Sequence, residues 1–296
     1  MTEGASPTIN GTISVVMPAY NEAGHILDNL RETIKALIAL DTRFEIILVD
    51  DGSQDATWAE VAGGSLIEVR RNDEGRHNEA LYAPTIDSQP TIRILQYHNR
   101  RGKGHALGCG SLAARGDYIV FLDADCELHP YQLSNFFRIL DEKNADVVIG
   151  SKLHPESEVN YPWQRRVMSY CYYLLVRTLF GLPVRDTQTG LKVFRAEVLR
   201  AVVPRVSAAG FAFDVAVLTV AHLLGFKISE APIKLDFRRR YNRINIATIA
   251  MVAKETLAIF YEQRILRLYA RPPTSRQLYQ PQVEMSLRPR DEILAR

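Results

Sequence analysis

Short β-branched apolar runs alternate with longer segments whose apolar residues recur every third or fourth position, and this alternation runs through the first half of the chain. ISVVMPAY (13–20) reads as a strand ended by Pro18. AGHILDNLRETIKALIAL (23–40) carries Ile26, Leu27, Leu30, Ile34, Leu37 and Ile38 as a helical stripe. FEIILVDD (44–51) is the next strand, and a helix begins near Asp55, whose carboxylate suits a cap. TIRILQYH (91–98), DYIVFLDAD (117–125) and ADVVIGSK (145–152) are further strands, with helices at HALGCGSLAARG (105–116) and YQLSNFFRILDEK (131–143). Residues 71–90, polar and broken by Gly and Pro, read as an exposed loop. The alternation predicts an α/β fold with a mostly parallel sheet, doubly wound and Rossmann-like to about residue 150.

The second half breaks that rhythm. WQRRVMSYCYYLLVRTLFGL (163–182) is helical by length, aromatic and edged with arginines. After a turn at RDTQTG (185–190), FDVAVLTVAHLLG (213–225) reads as a helix and FKISEAPIKLDF (226–237) as a strand. INIATIAMVAKETLAIFYEQRILRLYA (244–270) is a long amphipathic helix or helix pair. From Arg271 onward periodicity is weak and prolines interrupt, which predicts a mobile tail or an oligomer contact. The expected organisation is a flexible lead (1–10), one domain (11–236), amphipathic interface helices (237–270) and the tail (271–296).

A hydrophobic share of 47% with 24% charged residues suits a globular protein with a substantial core. The net charge of +2 sets no overall preference for nucleic acid. Arg165, Arg166, Arg238, Arg239, Arg240 and Arg243 nevertheless cluster, and local fields of that sign favour a phosphorylated substrate. Cys109, Cys126 and Cys171 form neither a zinc pattern nor a disulfide framework, which fits a reducing, cytoplasmic setting. MTEGASPTIN lacks the basic and apolar regions of a signal peptide. No uncharged apolar run reaches the ~18–20 residues that span a bilayer.

The chemistry concentrates where strands end. DYIVFLDADCE (117–127) opens into Asp123 and Asp125, and the strand before it in kind ends at Asp50 and Asp51. Ligands of open parallel sheets bind outside the carboxyl ends of the strands, so both acidic ends share one crevice. Two carboxylates one residue apart suit a hard divalent cation that keeps positions for phosphate oxygens. Taken singly, each feature is ordinary turn and capping chemistry; together they point to a metal-dependent enzyme handling a nucleotide diphosphate.

PAYNE (18–22), VDDGSQD (49–55), RRGKGHA (100–106) and DAD (123–125) resemble, in order and spacing, family 2 glycosyltransferases of the GT-A fold. RDTQTGLKVFR (185–195) and FAFDVAVL (211–218) are most similar to the polyprenyl-phosphate sugar synthases, in particular the dolichyl-phosphate β-glucosyltransferase branch, with the mannose-transferring branch a near neighbour. The resemblance implies an inverting transfer of a hexose from UDP-glucose or GDP-mannose to a dolichyl or bacterial polyprenyl phosphate. It further implies Mg²⁺ or Mn²⁺ as cofactor, peripheral residence on the cytoplasmic face of a membrane, no nucleic-acid partner and a possible homo-oligomer.

It assigns Pro18, Tyr20, Glu22, Val49 and Asp51 to the donor nucleotide, with Asp50 bracing the turn, and Lys103 and Ala124 to the donor end. Asp123, Asp125 and Glu127 are the implied metal ligands, Glu127 standing where relatives carry Gln. Asp125, Arg165 and Asp214 are the implied catalytic residues; Lys152, Arg166 and Arg240 are cations for the acceptor phosphate, and Asp186 and Gln188 shape the sugar pocket. Asn245 and Ile246 replace a Ser-Lys pair, and Ala216 a Glu, of that pattern. The alternative is a family 2 transferase acting on a sugar hydroxyl, with Asp214 as base. A catalytically silent sugar-nucleotide binder is disfavoured by the intact DAD.

Overall fold

β1 (Ile13–Ala19) is buried along nearly its whole length, as ISVVMPA requires of a strand covered on both faces. It pairs in parallel with β2 (Phe44–Asp50) on one side and β5 (Tyr118–Leu122) on the other. Pro18 does not end the strand as expected. It lies opposite Val49, and its missing N–H removes one ladder donor while the backbone stays extended. The structure is a computed structural model that describes residues 9–63, 67–70, 91–160, 163–206, 208, 210–235, 246–264 and 283–289; for 67–70, 165, 246–249 and 283–289 it describes the backbone alone.

The other strands of the main sheet are β3 (Ile67–Arg70), β4 (Thr91–Gln96), β6 (Val147–Ser151), β8 (Leu191–Arg195), β9 (Ile228–Pro232) and β11 (Val283–Pro289). Their order is β3-β11-β4-β2-β1-β5-β8-β6-β9. β8 and β11 run against the other seven. β7 (Glu158–Val159) and β10 (Lys234–Leu235) pair separately. FKISEAPIKLDF therefore supplies two short strands in two sheets rather than one, the break falling at the buried Ile233.

Two apolar layers cover the sheet. Ile13, Val15 and Met17 of β1 meet α1 (Ile26–Ile38), α2 (Thr57–Gly63) and α4 (Leu133–Glu142) on one face. Val16, Ile47 and Val49 meet α3 (Lys103–Ala113), α6 (Ala196–Val202) and α7 (Phe213–Leu223) on the other. α3 lies so close that a Cβ on Gly110 would stand 2.3 Å from Val16 Cγ1. α5 (Trp163–Phe180) and α8 (Ile246–Arg264) pack together beyond this layer through Tyr172–Thr256 at 3.0 Å and the Phe180–Phe260 ring pair.

Near the starts of the strands, Arg93 and Glu45 are fully buried and paired, with Ser14 and the Arg115 N–H completing the carboxylate's shell. The expected mobile tail is corrected in part: residues 283–289 are the strand between β3 and β4. Of the expected interface helices α8 is described, while residues 237–245, the loop at 71–90 and the rest of the tail lie outside the described residues. No helix among the described residues is long and apolar enough to cross a membrane.

Candidate active site

Strand order reverses between β1 and β5, and the PAYNE, VDDGSQD, RRGKGHA and DAD motifs lie at the carboxyl edge around that point. Tyr20 to Glu22 follow β1, Asp50 to Asp55 follow β2, Arg100 to Lys103 follow β4, and Asp123 to Asp125 follow β5. Lys152 follows β6. Because β8 runs the other way, Thr189 and Gly190 enter it from this same edge.

The first two loops are cross-tied. Asn21 donates its N–H to Ser53 Oγ at 3.0 Å and accepts from the Gln54 N–H at 2.8 Å. Glu22 donates its N–H to Thr57 at 2.8 Å, and Ala23 its N–H to Asp55 at 3.1 Å. Asp50 braces the turn as expected, accepting from the Ser53 N–H and Gln96 Nε2. Asp55 caps α2 through the Thr57 N–H at 2.9 Å. Burial works against the charge of Asp55, but the Thr57 and Ala23 hydrogen bonds together outweigh it and hold its carboxyl below the usual range.

Asp51, expected to meet a nucleobase N–H, turns its carboxylate toward the glycine-lysine loop. It accepts from the N–H groups of Arg101 at 2.7 Å and Gly102 at 2.8 Å. Burial raises its pKa despite those bonds. Gly52, at φ 74°, lets Arg100 N approach to within 2.7 Å of where a Cβ would be. Arg100 in turn lies 4.1 Å over the Tyr20 ring. Pro18 is half-buried beside it, and Val49 points into the core, so Val49 brings no side chain to the crevice.

After β5 the chain alternates: Asp123, Asp125 and Glu127 are partly exposed, while Ala124, Cys126 and Leu128 are buried. A turn closes from the Cys126 N–H to the Asp123 carbonyl, with Cys126 at φ 47°. The Glu127 N–H donates to Asp125 at 3.2 Å. Lys103, on the first turn of α3, places its ammonium 2.6 Å from Oδ1 and 2.8 Å from Oδ2 of Asp123. Burial alone would lower the Lys103 pKa, but Asp123, Asp214 and Asp125 together raise it. Burial would raise that of Asp123, but Lys103, Lys192 and Lys152 pull it below the usual range.

Among the described residues no three carboxylate, His or Cys side chains gather into a metal-binding group, so the expected shell of Asp123, Asp125 and Glu127 is not assembled. The physical reason is the turn at 123–126 together with Lys103, which already neutralises Asp123. A cation is nonetheless held at that carboxylate, and two carboxylates with phosphate oxygens form a sufficient donor set for Mg²⁺ or Mn²⁺.

Two more Lys–Asp pairs border the crevice. Lys152 reaches Asp186 at 3.2 Å, and Asp186 also accepts the N–H groups of Lys152 and Gln188 at 3.0 Å. Lys192 reaches Asp214 at 2.7 Å, both buried. The Asp214 carboxylate is therefore held against an ammonium inside the protein. Gln188 extends its amide toward the Tyr172 hydroxyl at 3.5 Å, whose pKa burial pushes up to about 12. Arg165 lies on the first turn of α5, and Arg240, with the arginines at 238, 239 and 243, lies outside the described residues.

Three residues here escaped the sequence reading. Lys192 sits in an otherwise apolar strand, and a lysine at a buried phase of LKVF was the available signal. Gly190 has Asp123 against it, since a Cβ would stand 2.3 Å from Oδ2. Asn29, on the buried stripe of α1, donates its amide to the Ala124 carbonyl at 2.7 Å and so holds the middle of the DAD turn.

The glycosyl transferase family 2 signature matches residues 14–203. A dolichyl-phosphate β-glucosyltransferase of Dictyostelium discoideum is 31% identical over 79% of this chain and 69% of its own length. That of Saccharomyces cerevisiae is 30% identical over 75% and 66%. The glycosyltransferase AglD of Haloferax volcanii is 31% identical over 75% of this chain and 32% of its own length. The chain thus spans about two thirds of the two glucosyltransferases and a third of the Haloferax protein. Crystal structures of Mycobacterium tuberculosis glucosyl-3-phosphoglycerate synthase share the fold; the complex with Mn²⁺, UDP-glucose and phosphoglyceric acid has a TM-score of 0.59 at 18% identity, covering 96% of this chain and 91% of that one. With its motifs gathered at one sheet edge and matched across most of its length, the chain belongs to glycosyltransferase family 2 and has the GT-A fold.

Proposed function

We propose that the protein transfers a hexose, with inversion, from UDP-glucose or GDP-mannose to a polyprenyl phosphate at the cytoplasmic surface of a membrane. The acceptor class is supported by the relatives named as dolichyl-phosphate β-glucosyltransferases. The UDP-glucose and Mn²⁺ complexes of the distant structural neighbour support the donor class and a divalent cation. The observation that carries the reading is the state of Asp214. A sugar-hydroxyl acceptor needs a carboxylate to take its proton, and the candidate for that task is buried and paired with Lys192. A phosphate acceptor is already anionic and needs no strong base.

In the proposed reaction a phosphate oxygen of the lipid attacks the anomeric carbon opposite the diphosphate. The carbon–oxygen bond to the diphosphate breaks with its electron pair, leaving a nucleoside diphosphate and a β-linked product. Asp123 and Asp125 would hold Mg²⁺ or Mn²⁺, which when bound neutralises charge on the leaving diphosphate. Tyr20 and Glu22 border the nucleoside side. Lys103 supplies a cation to the diphosphate, and Lys152 and Arg165 supply cations toward the acceptor. Asn29 keeps the carboxylate turn in place through Ala124.

A donor panel tests this: UDP-glucose, GDP-mannose and other sugar nucleotides are offered with polyprenyl phosphate and Mg²⁺ or Mn²⁺, and release of UDP or GDP is followed. Release that requires polyprenyl phosphate is expected. Release that requires a soluble sugar and ignores the lipid phosphate would hand the function to the hydroxyl-glycosylating alternative.

A further inference from the structure

The ammonium of Lys103 occupies the place at Asp123 where a divalent cation belongs. It contacts both carboxylate oxygens, at 2.6 and 2.8 Å, and both side chains are about a third exposed. Asp123 has little room to give way. Gly190 lies so close behind it that a Cβ would stand 2.3 Å from Oδ2, and the adjoining Ala124 carbonyl is tied to Asn29 at 2.7 Å. Lys103 is the movable partner. It starts α3 on the first turn, and its four-carbon stem can swing the ammonium out of the crevice.

A dication and an ammonium repel each other when they share one carboxylate, and the crevice already holds Lys152 and Lys192. Metal alone therefore meets a site already neutralised. A nucleoside diphosphate changes the balance, since its oxygens ligate the metal and give the displaced ammonium a new anion.

We infer that Lys103 is a placeholder cation at Asp123, that the divalent cation enters by displacing it, and that metal and nucleoside diphosphate consequently bind as a coupled pair. The inference rests on the donor reading above and adds an order to it: the metal site opens only as the diphosphate arrives. Linkage makes the coupling reciprocal, so UDP must tighten Mn²⁺ by the same factor as Mn²⁺ tightens UDP.

The test is binding to the full chain without acceptor or turnover. Mn²⁺ is followed by the electron paramagnetic resonance signal of the free ion, and UDP by calorimetry. For the wild type, UDP is expected to tighten Mn²⁺ by about tenfold or more, a usual size for coupled sites. Lys103→Met should bind Mn²⁺ alone at least about fivefold more tightly than wild type, yet bind UDP in the presence of Mn²⁺ more weakly. Lys103→Arg, which keeps a cation, should return Mn²⁺ binding toward the wild-type value. Wild type that binds Mn²⁺ equally well with and without UDP overturns the inference, as does Lys103→Met with unchanged or weaker Mn²⁺ affinity. In both cases the donor reading survives as long as the wild type binds UDP with Mn²⁺. Wild type that binds no UDP under any condition overturns both.

Discussion

His105 follows the glycine-lysine-glycine turn but faces inward, its ring edge-on to Tyr97 at 4.8 Å. Burial, and then the charge of Arg101, lower its pKa from 6.5 to about 4. Above pH 6.5 the imidazole is neutral in both folded and unfolded chains. Between 6.5 and 4 the unfolded chain takes up a proton that the folded chain refuses, so stability falls as pH falls. The loss amounts to about 3 kcal/mol by the lower limit. Urea midpoints measured from pH 7.5 to 4.5 should fall more steeply for wild type than for His105→Phe. Equal slopes would mean that the ring is protonated in the folded state. Lys192 tests a different cost. Lys192→Met leaves Asp214 buried without its cation and should destabilise by about 3–5 kcal/mol. Adding Asp214→Leu should restore most of that stability, while activity stays lost if the pair serves the site. Recovered activity in the double variant would reduce the pair to packing.

Elements explain what the chain's pattern revealed and what it hid. Strands β1, β2, β4, β5 and β6 were legible because each is a short apolar run buried on both faces. The acidic motifs were legible because they fall where those strands end. The direction of β8 was not, since nothing in LKVFR distinguishes a parallel from an antiparallel neighbour; its reversal brings Gly190 to Asp123. The partners of Asp51 and Asp214 were hidden for a similar reason. Arg101 is 50 residues from Asp51 and Lys192 is 22 from Asp214, and a carboxylate alone does not disclose which donor reaches it.

α5 was legible as a helix, and its outward face now has a location. Trp163, Val167, Tyr170 and Leu174 fall at helical spacing on one exposed side, Trp163 with 70% of its surface in solvent. Arg166 and Arg177 are exposed on the same helix. With a lipid acceptor, this stripe is predicted to make the membrane contact, apolar insertion being reinforced by roughly 1 kcal/mol per basic residue near anionic lipid. Flotation with anionic vesicles should weaken as salt screens that attraction. It should weaken further for the Trp163→Ser/Val167→Ser variant. Protein that never floats, at any salt or lipid composition, would leave α5 as an oligomer contact and undermine the lipid acceptor.

At the scale of the whole molecule, a strand from the far end of the sequence is inserted next to one edge of the sheet. β11 runs antiparallel between β3 and β4, its Val283–Leu287 stretch against Gln96–Ile92 and its Ser286–Pro289 stretch against Arg70–Ile67. Among the described residues β3 joins the sheet only through β11, whereas β4 also pairs with β2. Residues of a strand direct their N–H groups alternately to the two neighbours, so removing one neighbour should expose alternate amides rather than all of them. A chain ending at residue 282 is therefore expected to lose hydrogen-exchange protection at those amides of 67–70 that face β11, about half of them, and at about half of the amides of β4. The β4 amides bonded to β2 should stay protected, and UDP binding should persist, because the crevice between β1 and β5 lies two strands further in. Uniform loss of protection across β4 and β2 would show that β11 is needed for the sheet as a unit. Unchanged protection at 67–70 would show that β3 is held without β11, and the nine-strand order would be wrong at that edge.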